Sequence, residues 1–123
     1  MIVPRNDNVV MIDVDETLIY WEKPIKGYTG TPIELDCQYG NMEVYPNYDL
    51  IKQIKRHYIR GHAVIVWSQG GAEWAEAVVK KLKLQKYVAT VMCKPKWYID
   101  DLDCSTWMGE HILPDGTRGW NNK

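Results

Sequence analysis

Short, unbroken apolar runs alternate along this chain with longer stretches in which apolar residues recur every three or four positions. Residues 9–12, 63–67 and 87–93 are runs of the first kind, rich in β-branched residues and bounded by polar ones. That is the signature of a strand buried on both faces, and residues 97–99 (Trp-Tyr-Ile) read as a shorter fourth. Between the first two runs, Leu50, Ile51, Ile54, Tyr58 and Ile59 fall on one helical stripe, with Asn47 placed to cap its start and Gly61 just beyond its end. A second helix follows, with Trp74, Ala77, Val78 and Leu82 on its apolar face and the lysines at 80, 81, 83 and 86 on its wet side. Strands alternating with helices predict an α/β fold, a doubly wound and mostly parallel sheet.

The segment 19–45 breaks this alternation. It is rich in Gly, Pro, Thr and Tyr and holds two extended runs around a Gly-Asn turn, which predicts a small flap hairpin over the carboxyl edge of the sheet. Near the end, Pro-Asp-Gly at 114–116 predicts a turn, and the residues after it are expected to fray.

With 123 residues the chain has room for one core, so 1–123 is read as a single domain with 19–45 as its insertion. Hydrophobic residues make up 46% and charged ones 25%, an ordinary globular mix. A net charge of −1 supplies no general field towards nucleic acid or an acidic membrane. The three cysteines at 37, 93 and 104 are too scattered for a disulfide framework or a zinc site, which fits a reducing cytoplasm. The first eight residues are too polar for a signal peptide, and no apolar stretch is long enough to span a bilayer, so no membrane partner is expected.

Chemistry collects where the strands are expected to end. Asp13 and Asp15 follow the first, Ser68, Gln69, Gly70 and Gly71 the second, Lys94 the third, and Asp100 and Asp101 the fourth. In parallel α/β sheets ligands bind outside the carboxyl ends of the strands, so these groups would share one rim. Crowded aspartates repel unless a hard cation sits among them, and Mg²⁺ takes a few carboxylates plus phosphate oxygens. Asp13 and Asp100 suit such a cation. Ser68 and the amides at Gly70 and Gly71 suit the anion's other oxygens, and Lys94 its remaining charge.

Through those residues the chain resembles the haloacid dehalogenase (HAD) superfamily of phosphohydrolases, in a capless or minimal-cap form. Asp-Val-Asp-Glu-Thr-Leu from Asp13 is similar to its first motif and Val-Ile-Val-Trp-Ser ending at Ser68 to its second. Lys-Pro at 94 and 95 resembles the third, and Tyr-Ile-Asp-Asp ending at Asp101 the fourth. The resemblance spans roughly residues 9–103, with order and spacing intact. It implies a Rossmann-like core and Mg²⁺ as cofactor, held by Asp13, the main-chain carbonyl of Asp15, and Asp100. It implies Asp13 as nucleophile and Asp15 as general acid and base, with Ser68, Gln69, Gly70 and Lys94 on the phosphate and Thr17 and Asp101 supporting. Glu16 stands where the family commonly has glycine. The implied reaction is hydrolysis of a phosphomonoester on a nucleotide, a polynucleotide end, a sugar phosphate or a phosphoprotein, with a second copy of the chain as cover for an open site.

Blander readings compete residue by residue. Two acids after a strand can be solvated loop residues, Ser68 can cap the following helix, and Lys96 rivals Lys94. Asp103 and the histidines at 57, 62 and 111 read as surface or helix-end residues. Tyr20, Trp21, Lys23, Lys26 and Tyr28 read as hairpin packing, or as a stacking platform for a base. A receiver-like phosphoacceptor domain and a catalytically silent HAD-like binding module are the alternatives for the whole chain.

Overall fold

The computed structural model describes residues 6–24, 26–37 and 39–117. A 3₁₀ turn at Asn6–Asn8 leads into β1 (Val9–Asp13). Then come β2 (Ile19–Tyr20), β3 (Ile33–Cys37), β4 (Gly40–Pro46), α1 (Tyr48–Ile59), β5 (Ala63–Ser68), α2 (Ala72–Lys81) and β6 (Thr90–Cys93), and a second 3₁₀ turn at Cys104–Thr106. The molecule is α/β, with β1, β5 and β6 in a parallel sheet in that spatial order. β2, β4 and β3 form a separate antiparallel sheet.

Two expectations are corrected here. A doubly wound sheet reverses its strand order at a switch point, whereas the order β1-β5-β6 runs one way, so among the described residues the sheet is not doubly wound. The predicted fourth strand does not form either: Trp97 is 79% exposed and Ile99 fully so. The local chemistry explains it. Tyr98 is drawn into a loop of its own, its hydroxyl donating to Asp103 Oδ1 at 3.1 Å and accepting from the Cys104 N–H at 3.1 Å, with its ring edge-on to Trp107. Asp103, read as a surface acid, caps the 3₁₀ turn through the Ser105 N–H.

The pleat sets the core. Along β5, Val64, Val66 and Ser68 are buried while Ala63, Ile65 and Trp67 are half-buried. Ile12 of β1 joins Val64 and Val66 against Ile51 and Ile54 of α1 and Ala75, Val78 and Val79 of α2. The apolar face of α2 is thus turned from the expected one, with Ala77 exposed. In α1, Tyr58 and Ile59 lie exposed at the end of the stripe.

The hairpin is not a loose flap. Its Leu35 and Val44 are buried in the same cluster, and β3 packs on α2. Asn47 caps α1 as expected, its Oδ1 accepting from the Leu50 N–H at 3.1 Å. Its Nδ2 also donates toward the Thr17 carbonyl (2.9 Å), the Tyr20 hydroxyl (3.2 Å) and the Pro114 carbonyl (3.1 Å), which ties the loop after β1, β2 and the tail to the helix start. The turn at 114–116 is present, with the Gly116 N–H on the Leu113 carbonyl at 2.8 Å. The end expected to fray lies outside the described residues. Among the described residues no helix is long and apolar enough to cross a membrane.

Candidate active site

The loop leaving β1 is wound on one carbonyl. The N–H groups of Thr17, Leu18 and Ile19 point at the oxygen of Val14 (3.2, 2.9 and 3.2 Å), while the buried side chains of Val14 and Leu18 anchor it from below. The tight winding puts Glu16 at φ 61°, the left-handed region that glycine enters without strain. Glu16 reaches forward from there, and its Oε2 accepts the Trp21 N–H at 2.9 Å.

Asp13 and Asp15 are separated by their partners. Lys94, just past β6, extends over the ring of Trp67 at the end of β5, 5.7 Å from its centroid, to place Nζ 3.1 Å from Asp13 Oδ1. Thr17 donates to the other oxygen, Oδ2, at 3.1 Å. The bracing expected of Thr17 is therefore present, and Lys94, not Lys96, meets the carboxylate; Lys96 Nζ lies over the ring of Trp97. Asp13 and Lys94 keep about a third of their side-chain surface in solvent (32% and 29%), so the pair is reachable from outside.

Asp15 is held by neutral donors. The Trp21 and Trp74 Nε1–H groups both donate to its Oδ1, at 3.1 and 3.2 Å, and the Ser68 hydroxyl donates to Oδ2 at 3.3 Å. Trp74 is in the first turn of α2 and stacks on Trp21, with ring centroids 5.7 Å apart and planes 9° from parallel.

Ser68 is fully buried, and its Oγ accepts the Gly70 N–H at 2.9 Å. It lies beneath the rim and does not cap α2, whose N-cap is Gly71 with no side-chain bond. The Gly71 N–H is likewise spent, on the Ser68 carbonyl at 3.2 Å. The amides of Gly70 and Gly71 are therefore already engaged within the chain. Gln69, just before them, stands exposed.

Asp100 and Asp101 lie in the loop that follows β6. Both are exposed, and Asp100 Oδ1 accepts the Leu102 N–H at 3.0 Å. That bond, together with Asp101, holds the Asp100 carboxyl below the ordinary carboxylate range. Among the described residues no three His, Cys, Asp or Glu side chains stand together as a metal cage. The aromatics after the first motif turn inward: the Tyr28 hydroxyl donates to the Pro46 carbonyl at 2.9 Å, and Tyr20 meets Asn47.

Trp74 on Asp15 and the Trp67 ring under Lys94 were not read from the sequence as site residues, and Trp21 was read only as hairpin packing or as part of a stacking platform. Spacing carried no signal for them, since each reaches the rim from a different element. Two shallow clefts of about 260 Å³ each are lined by other residues, one by Glu76, Lys80 and neighbours on β6, the other between β3 and α2. The carboxylate rim is the stronger candidate, because two acids, a cation and aligned donors converge there at the ends of the parallel strands. Comparison with family models, curated proteins and solved structures finds no match to this chain.

Proposed function

We propose that this protein is a Mg²⁺-dependent phosphatase of the HAD type, hydrolysing a phosphomonoester through an aspartyl-phosphate on Asp13. The observation that carries the reading is the Lys94–Asp13 pair at 3.1 Å across the carboxyl ends of the three parallel strands. Asp13 keeps lone pairs free beyond its bonds to Lys94 and Thr17. One of its oxygens attacks phosphorus in line, and the bond from phosphorus to the ester oxygen breaks. Asp15 gives its proton to that leaving oxygen. In the second half Asp15 takes a proton from water as the water oxygen attacks phosphorus, which releases phosphate and restores the Asp13 carboxylate. Lys94 offsets charge on the phosphoryl oxygens, and the first-turn N–H groups of α2 donate hydrogen bonds to them.

The donor set fits magnesium of the sparsely ligated kind, which uses one or two carboxylates and completes its shell with water and phosphate. The half-exposed Asp13 carboxylate and the Asp15 main-chain carbonyl would hold it, without Asp100. When bound it supplies charge neutralisation at the transferring phosphoryl group.

An open rim suits a bulky ester, a polynucleotide end or a phosphoprotein, as well as a nucleotide or sugar phosphate covered by a second copy of the chain. Cys37, Cys93 and Cys104 are all unpaired, in keeping with a cytoplasmic protein.

The test is a turnover screen over these four classes with Mg²⁺ and with EDTA. Turnover should require the metal and vanish in Asp13→Asn. Mg²⁺ should raise the melting temperature by binding the folded state. That shift should be lost in Asp13→Asn and kept in Asp100→Ala; a shift lost in Asp100→Ala would return Asp100 to the metal. A stable acyl-phosphate on Asp13 without turnover would favour the phosphoacceptor reading, and neither label nor turnover the silent module.

A further inference from the structure

Asp15 is gripped in an unusual way. An indole N–H is a donor with one hydrogen to give, and here two of them converge on the same carboxylate oxygen, at 3.1 and 3.2 Å. Neither ring is placed there by chance of packing. The Trp21 main chain is pinned by Glu16 Oε2, and its ring lies flat on Trp74. At Gly70 a Cβ would come within 3.0 Å of Trp74 Cδ1 and 3.3 Å of Ser68 Oγ, so the chain stays bare where the second indole passes. The remaining oxygen, Oδ2, has only the longer 3.3 Å contact from Ser68.

We propose that Trp21 and Trp74 are positioning residues for proton transfer: the indole pair saturates Oδ1 and fixes the carboxyl rotamer, leaving Oδ2 as the oxygen that carries the proton. The Oδ2–H bond breaks as the leaving oxygen takes the proton, and it re-forms with a proton from the water that attacks phosphorus. The two donors come from different elements, one just after β2 and one in α2, so turning the carboxyl gives up bonds to both. This rests on the reading of Asp15 as general acid and base.

Two measurements separate the clamp from that reading. In nitrogen–proton spectra of the whole protein, Asp15→Ala should move the Trp21 and Trp74 indole resonances upfield and speed their exchange with solvent, while the exposed Trp97 stays put. Unchanged Trp21 and Trp74 resonances would overturn the clamp, whatever the enzyme does. In kinetics, Trp21→Phe and Trp74→Phe keep a stacking ring and lose the N–H. Each should lower kcat on an alkyl phosphate by roughly 10- to 100-fold, the scale of a misplaced catalytic group, with KM little changed and a smaller loss on nitrophenyl phosphate. In an Asp15→Asn background the same substitutions should cost nothing further. Equal losses on both esters, or full additivity with Asp15→Asn, would make the indoles structural only. Should Trp74→Phe fail to fold, Trp21→Phe and the Asp15→Ala spectra decide. A wild-type protein inert on every phosphate ester, with indoles that still answer to Asp15, would remove the catalytic role and leave the clamp.

Discussion

Glu16 sets two local effects against each other. Its left-handed backbone costs a residue with a Cβ roughly 1 kcal/mol or more, and its carboxylate returns a hydrogen bond to the Trp21 N–H worth about the same. Glu16→Ala keeps the strain and discards the bond, so it should lower stability by about 1 kcal/mol. Glu16→Gly discards both, so the two effects nearly cancel and its urea midpoint should lie close to the wild type and above that of Ala. An alanine variant as stable as the glycine one would mean that the backbone there is not strained.

Asn47 governs how the elements meet. It caps α1 with its oxygen and spends its amide on three oxygens from three other segments, all while buried. Asn47→Asp preserves the cap but sets a carboxylate oxygen against two carbonyls, which should cost about 2 kcal/mol or more. Asn47→Ser also caps and merely loses the reach, so it should unfold at higher urea than Asn47→Asp; the reverse order would deny the tie between helix start and tail. Here the sequence was half legible. The cap could be read because capping is local, and so could the strands at 9–12 and 63–67, whose β-branched runs have few other uses. The amide's three partners could not be read, because they come from Thr17, Tyr20 and Pro114. Trp97, Tyr98 and Ile99 misled for a related reason: an apolar triplet looks the same whether a sheet takes it up or, as here, Tyr98 closes a loop with Asp103 and Cys104. In the site, Asp13, Thr17 and Lys94 were legible from motif order, whereas the indoles on Asp15 arise only once α2 is laid beside β2.

At the scale of the whole molecule, acid should weaken the fold through the seam between α1 and β5. His57 and His62 face each other there with Nδ1 atoms 2.9 Å apart. Burial, then the nearby His62 and Arg60, lower the His57 pKa from its ordinary 6.5. The folded state therefore takes up a proton later than the unfolded chain. Stability is present above about pH 6.5 and is lost as pH falls through that value towards the lower folded one. His57→Gln should flatten this limb of a stability-against-pH curve; an unaltered limb would place the acid sensitivity elsewhere. The sheet adds a difference in time. Among the described residues β1 is an edge strand, while β5 has a partner on each side. Edge amides exchange through small local openings, whereas a central strand waits for nearly complete unfolding. Hydrogen–deuterium exchange should therefore run faster at residues 10–12 than at residues 64–66, and a phosphate analogue bridging Asp13 and Lys94 should slow the first set selectively. The proposed nucleophile rides on an edge strand that opens more readily than the central one, and the ligand that needs it would be what stills it.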